Sequence, residues 1–206
     1  LKLDNLTLAS ASPRRRELIK ALGVPFSIFT PMVDETLRSD KPEALVNLAI
    51  RKAQSCKGEG VVVSADTTVA IDGRFWGKPT DEKEALAMLL ALRGREHLVI
   101  TAIASLFQGR LASSCCITRV TMRRYNKSDA VTYIASGEAM DKAGAYAIQD
   151  SSFRPVASCA GCYLNVVGLP LCALVRDLKK LDFHLENLSL PEECQGCQIK
   201  DLPVPL

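Results

Sequence analysis

The fold turns on Val61-Val62-Val63-Ser64-Ala65-Asp66-Thr67-Thr68-Val69-Ala70-Ile71-Asp72-Gly73-Arg74-Phe75-Trp76. Three consecutive valines are the signature of a central strand buried on both faces. From Thr67 to Trp76 the pattern is two short strands joined by Asp72-Gly73, a pair that favours the two-residue hairpin turn. Residue 71 should then oppose 74, and counting outward puts Thr67 opposite Lys78. A carboxylate, Asp66, and an amine, Lys78, would meet near the open end of that hairpin. The pleat alternates, so the two would point to opposite faces unless a bulge or a strand end intervenes, and Pro79 can supply such an end. A structural ion pair explains Asp66 and Lys78 as well as a functional one does.

Working outward, residues 6–9 read as a short buried strand. Ser12-Pro13 has the form of an N-cap and first helical residue, with Leu18, Ile19 and Leu22 as the apolar face and Gly23 as the stop. A second helix is expected from about Pro42 to Cys56. Asp81 with Glu84 resembles a capping box ahead of a helix carrying Leu86, Leu89, Leu90 and Leu92. Segments 97–107 and 111–123 read as paired strands around Gln108-Gly109. Ser128 is expected to cap a short helix closed by Gly137, and Pro170 to open a last helix through Leu171, Leu174, Leu178 and Leu181. Strands and helices alternate without a strict βαβ rhythm, which predicts an α/β fold with a mixed twisted sheet flanked by helices. Residues 1–183 would form the domain and 184–206 a tail with prolines and cysteines.

With 206 residues, 48% apolar and 24% charged, the chain has the balance of one globular domain rather than a disordered one. No apolar run reaches the ~18–20 residues of a membrane span. Leu1-Lys2-Leu3-Asp4 lacks the basic-then-apolar layout of a secretory signal, so a cytoplasmic protein without a membrane partner is expected. A net charge of +3 is too small to imply a stable nucleic-acid complex. Of eight cysteines, Cys159/Cys162 and Cys194/Cys197 form Cys-x-x-Cys pairs, which in such a chain point to metal or redox chemistry rather than a disulfide framework.

Several groups could carry chemistry. Ser10-Ala11-Ser12-Pro13-Arg14-Arg15-Arg16 sits where a strand ends and a helix begins, an anion-binding arrangement. Cations in a first helical turn oppose the helix dipole, which calls for compensation; solvated arginines after a Ser-Pro cap are the bland explanation. Lys52 falls within the apolar arc of its helix, set by Leu45, Leu48, Ala49, Ile50 and Ala53, and would either snorkel or meet an anion. Asp34-Glu35 in a loop could join Asp66 around a Mg²⁺, though acidic loops are usually only solvated. Residues 141–150, rich in small side chains and containing Gln149, suit close backbone approach by a ligand or, equally, a tight junction.

Taken together, Leu8 to Leu18, Val33-Asp34-Glu35, Ser64 to Val69, Gly77-Lys78-Pro79, Met140 to Gln149 and Asn165 to Pro170 resemble the Maf family of nucleoside triphosphate pyrophosphatases. The segments come in family order over about residues 5–181. The stretch Ala143 to Gln149 resembles the branch acting on dTTP and UTP. The resemblance implies a two-lobed α/β fold with a central cleft, similar to that of the inosine-triphosphate pyrophosphatases. It also implies hydrolysis of a nucleoside triphosphate to the monophosphate and pyrophosphate. Asp66 would be the proton acceptor, with Arg14, Thr67 and Gln149 at specificity positions and Glu35, Lys52 and Lys78 among the other active-site residues. Ser10 and Arg15 join the substrate-binding set through the anion-binding segment.

A divalent cation, Mg²⁺ or Mn²⁺, held by Glu35 and Asp66 could bridge phosphate oxygens. The expected partner is the nucleotide, and a homodimer is compatible. The rival from another class is a catalytically weak nucleotide-binding regulator of cell division or septum formation. The chain departs from the family after Gln149, where Asp150 to Cys162, ending in Cys159-Ala160-Gly161-Cys162, stands in place of a Gly-rich stretch and an acidic, aliphatic segment. Four thiolates from Cys159, Cys162, Cys194 and Cys197 could hold a structural Zn²⁺, with buried thiols or a disulfide as alternatives. The 31 residues between the pairs exceed the usual zinc-ribbon spacing.

Overall fold

The computed structural model describes residues 5–58, 60–185 and 188–194. Its strands are β1 (Leu6–Ala9), β2 (Phe26–Phe29), β3 (Val61–Ile71), β4 (Arg74–Trp76), β5 (Glu96–Phe107), β6 (Arg110–Met122) and β7 (Val156–Ala160). The helices are α1 (Pro13–Ile19), α2 (Pro42–Gln54), α3 (Glu82–Leu92), α4 (Lys127–Ala135), α5 (Tyr163–Val167) and α6 (Leu171–Lys180). The strands make one mixed sheet in the order β2-β1-β3-β5-β6-β7, with β4 paired to β3 off that path. β1 runs parallel to β2 and β3, and every other pairing is antiparallel.

The valine run lies in the middle of this sheet, as its apolarity requires. Rather than two short strands, residues 61–71 form a single strand of eleven residues. The hairpin register holds for Ile71↔Arg74, Ala70↔Phe75 and Val69↔Trp76, and then stops. Asp72 and Gly73 both take positive φ, 51° and 74°, as that turn demands. Thr67 therefore does not face Lys78. Its cross-strand neighbour is Thr101, because β5 pairs with β3 from Val62 to Ala70 along one edge. The other edge is shared: β1 covers 61–64 and β4 covers 69–71. Between them, residues 65–68 have no strand beside them on this edge among the described residues, and this gap holds Asp66 and Thr67.

Helix α1 begins as expected, with Ser12 as N-cap and Pro13 in the first turn, and Gly23 closes the turn that follows it at φ 68°. Asp81 Oδ1 caps α3 by accepting from Glu84 N at 2.7 Å, whereas Glu84 reaches back to Thr80 rather than to Asp81. Asn126, not Ser128, caps α4; Asp129 at its third helical position returns a bond to the Asn126 N–H at 3.0 Å. β2, β7 and α5 carry no strong sequence signal. The first two are short sheet-edge strands, and α5 is barely more than a turn.

Three apolar clusters surround the sheet. Val61, Val63 and Ala65 of β3 pack with Ile19, Leu164 and the α6 leucines. Further along the same face, Val69 and Ile71 pack with Leu89, Leu92, Tyr133 and Ile134 from α3 and α4. Thr67 lies between these two clusters, so the face is divided into two lobes. On the opposite face Val62 meets Leu45, Ala49 and Ala53 of α2. Both clefted lobes and flanking helices follow from the period-2 alternation of one strand.

Of the four cysteines read as metal-binding, the three described ones take other places. Cys159 lies in β7, and Cys162 occupies the N-cap position of α5, 2% exposed in the core. Gly161 between them, at φ 132°, lets the chain turn tightly over Thr118. Among the described residues no three His, Cys, Asp or Glu side chains gather as metal ligands, so Cys159, Cys162 and Cys194 do not form such a group. Cys194 packs instead in the apolar cluster that contains Cys162. Cys197 lies outside the described residues. Among the described residues no helix is long and apolar enough to cross a membrane.

Candidate active site

A cavity of about 290 Å³ opens at the gap in the β3 edge. Ser10, Arg14, Arg15, Glu35, Lys52, Asp66, Thr67, Lys78 and Gln149 all line it. β1 ends at Ala9 beside Ser64, so the cavity lies past the C-terminal end of a parallel strand, the usual location for ligand sites in α/β sheets. The ladder of β4 stops at Trp76, and the released chain brings the exposed Lys78 to the same cavity as Asp66. The strand end that Pro79 suggested therefore operates, although the register expected for Lys78 does not.

On the α2 side of β3, Lys52 is the central contact. It is 8% exposed, its Nζ touches Asp66 Oδ2, and it lies 2.8 Å from Glu35 Oε1. Its place in the apolar arc of α2 is thus explained by two carboxylates within reach. Asp66 is 15% exposed, and its Oδ2 accepts no well-directed hydrogen bond despite being buried. Ala102 opposite Asp66 is small and leaves room on this face.

On the other side, Arg15 is held by three bonds. Nε donates to Gly168 O at 2.8 Å, Nη1 to Ser10 Oγ at 3.2 Å and Nη2 to Thr67 Oγ1 at 2.9 Å. Burial pulls the pKa of its guanidinium below the ordinary value, and Asp66 opposes that shift. Arg14 donates to Asp141 Oδ2 at 2.7 Å and to Asp141 O at 3.1 Å. Asp141 also receives Lys142 Nζ at 2.6 Å. Burial raises the Asp141 carboxyl, but the hydrogen bonds from Lys142 and Arg14 outweigh it and leave the group below its usual value. The two arginines that the helix dipole disfavours in a first turn thus find their compensation in tertiary partners.

The far end of the cavity is more apolar, lined by Val69, Val99, Tyr146, Ile148 and Val166. Tyr146 OH is 2.7 Å from His97 Nε2, and both are buried. Gly144, at φ 70°, lies against Val69 so closely that the small-residue stretch serves here as a tight junction. Asp141, Lys142, Tyr146 and Gly168 line the cavity without having been singled out. Asp141, Lys142 and Tyr146 lie in the 141–150 segment and Gly168 in the 165–170 segment, so their surroundings carried a signal while the residues themselves did not.

Five cationic side chains (Arg14, Arg15, Lys52, Lys78 and Lys142) and three carboxylates (Glu35, Asp66 and Asp141) line this one cavity. Fold and cavity define an α/β protein with a cleft suited to a small polyanion. The chain belongs to the Maf family: the family model described as Maf-like protein matches residues 5–181. It is 45% identical to the dTTP/UTP pyrophosphatase of Thermomicrobium roseum, across 94% of this chain and 93% of that protein. The corresponding protein of Caldanaerobacter subterraneus is 44% identical, with 94% of each covered. That of Dehalococcoides mccartyi is 39% identical over 96% of this chain and 92% of its own length. Among solved structures, the Ham1 protein of Staphylococcus aureus aligns with a TM-score of 0.44 and 14% identity, covering 95% of this chain and 90% of that one.

Proposed function

We propose that this protein hydrolyses nucleoside triphosphates, dTTP and UTP foremost, to the monophosphate and pyrophosphate. The observation that carries the proposal is the contact of Lys52 with both Asp66 and Glu35 inside a cavity that Arg14, Arg15 and Lys78 also line. The named activity of the relatives supports it.

In this reaction Asp66 takes a proton from water as its oxygen bonds to the α-phosphorus. The bond from the α-phosphorus to the bridging oxygen breaks, and its electron pair leaves on pyrophosphate. Arg14, Arg15 and Lys78 face the polyphosphate and offset the charge that grows on the leaving group. Lys52 orients the Asp66 carboxylate while tying it to Glu35. Gln149 can present either end of its amide to the edge of a pyrimidine, with Val69, Val99 and Tyr146 beside the ring. Ser10 and Thr67 complete the binding set.

Two carboxylates make a hard oxygen donor set, and the buried Asp66 Oδ2 lacks a well-directed hydrogen bond, so the residues fit a Mg²⁺ or Mn²⁺. Glu35 and Asp66 would hold it, and when bound it would supply Lewis-acid polarisation of phosphate oxygens and a more acidic water. A structural Zn²⁺ has no support among the described residues. A cytoplasmic location without a stable nucleic-acid complex accords with this activity.

The test is pyrophosphate release from a panel of nucleotides with Mg²⁺ and with Mn²⁺. dTTP and UTP should exceed dATP and dGTP. Release of orthophosphate in place of pyrophosphate, or turnover of no nucleotide at all, overturns the proposal.

A further inference from the structure

Arg51 and Lys52, consecutive in the last turn of α2, hold two consecutive residues of the loop after β2. Arg51 Nη2 donates to Asp34 O at 3.0 Å, and Lys52 Nζ lies 2.8 Å from Glu35 Oε1. The helix itself is pinned to β3, where Ser64 Oγ donates to Ala49 O at 2.5 Å. Two residues further along that strand, and on the same side of it, Asp66 Oδ2 touches Lys52 Nζ. Loop and strand thus each deliver a carboxylate to one ammonium group that is 8% exposed.

Those two carboxylates are the pair that would hold a divalent cation, so ion and ammonium draw on the same negative charge. Arg15 draws on it too: burial lowers the pKa of its guanidinium, and Asp66 and Glu35 both pull it back up. Lys52 and Arg15 therefore match the two carboxylates charge for charge. The wider cavity is no more inviting to a lone cation. Among the described residues that line it, five cationic side chains against three carboxylates leave a net +2. A polyphosphate reverses that sign, because it brings several negative charges and its own oxygen atoms to share the ion.

We infer that Lys52 bars a divalent cation from Glu35 and Asp66 until a polyphosphate arrives, so that ion and nucleotide enter together. This rests on the triphosphate hydrolysis proposed above and adds the order in which its parts assemble. The coupling is reciprocal: whatever the polyphosphate adds to the affinity for the ion, the ion adds to the affinity for the polyphosphate.

The experiment titrates Mn²⁺ into nucleotide-free protein and follows the free ion by its paramagnetic resonance signal. Lys52→Met keeps much of the side-chain length and removes the charge, so it should bind Mn²⁺ at least about tenfold more tightly than the wild type. Lys52→Arg keeps the charge and should stay near the wild type. Adding Glu35→Gln to Lys52→Met should abolish the gain, which places the ion on this carboxylate pair. A Lys52 that only braces the fold would lower the thermal midpoint in Lys52→Met with no gain in Mn²⁺ binding, and that result overturns the inference. Should Lys52→Met fail to fold, wild-type thermal midpoints still decide, using a UTP analogue with a methylene group between the α- and β-phosphorus. Mn²⁺ and analogue together should raise the midpoint by more than the sum of their separate effects; a rise from Mn²⁺ alone as large as from both overturns the inference. Pyrophosphate release without the Mn²⁺ gain removes the inference and leaves the activity standing. The gain without release from any nucleotide removes the activity and leaves the effect of Lys52 on the ion standing.

Discussion

Arg14 Nη1 sits 2.7 Å from Asp141 Oδ2, joining α1 to the loop after α4 although 127 positions separate them in the chain. This pair stands at the mouth of the cavity, with Arg14 one-quarter and Asp141 half exposed. Exposed pairs contribute little to stability, and the buried Lys142, which also binds Asp141, keeps Glu138 Oε2 at 3.1 Å, so Asp141→Asn should change unfolding free energy by no more than about 1 kcal/mol. Its effect should fall on substrate binding, because the guanidinium loses the anchor that aims it inward. We expect KM for the triphosphate to rise several-fold, on the order of 3–10, with a smaller change in kcat. Steady-state kinetics beside a denaturant titration would separate the two.

Asp66→Asn should retain the fold, since Lys52 keeps Glu35 as a partner at 2.8 Å. If Asp66 is the proton acceptor, turnover should drop on the order of 10²–10⁴-fold. Pyrophosphate release, read together with the thermal midpoint, checks this. Near wild-type turnover would remove Asp66 from the chemistry.

His97 gives a pH prediction for stability. Burial pushes its pKa down from 6.5 to about 4. Its folded pKa is below the unfolded one, so between those values the unfolded chain binds more protons. Stability should be complete above about pH 6.5, fall as pH drops through the window, and level off below about 4, with a total loss of up to about 3 kcal/mol. Denaturant titrations at half-unit pH steps would trace the slope. In His97→Gln the part of the slope due to this ring should vanish; an equally steep curve would assign it elsewhere.

Gly144 has φ 70°, and a Cβ there would lie 2.8 Å from Val69 Cγ2. Gly144→Ala should therefore destabilise by about 1–3 kcal/mol through strain and overpacking. The displaced wall also borders the apolar end of the cavity, so KM should rise as stability falls. Calorimetric unfolding and kinetics on the same preparation would test both effects.

What the chain discloses about itself is what short-range physics controls. The valine run, the Asp72-Gly73 turn, the Ser12-Pro13 helix start and the buried placement of Lys52 are legible because propensity, turn chemistry and helical periodicity act within a few residues. The Thr67 register is not legible, because it depends on how far β4 runs along its edge of β3, and that ladder stops at Val69↔Trp76. The Asn126 cap competes with Ser128 two residues away, and only the Asp129 reciprocal bond decides between them. β7 is hidden by small residues without alternation, so nothing local marks Cys159-Ala160-Gly161-Cys162 as a strand running into a helix start. Arg14 with Asp141 needs the finished fold to exist at all.

The uninterrupted course of β3 through the sheet gap gives the molecule a ruler. Asp66 and Thr67 are consecutive, about 3.3 Å apart along the strand and aimed to opposite sides. In the proposed reaction a residue of the binding set and the residue that takes the proton share one rigid backbone. The phosphorus attacked is then set by its place relative to that strand, so a diphosphate should be severed at the same atom as a triphosphate, yielding orthophosphate in place of pyrophosphate.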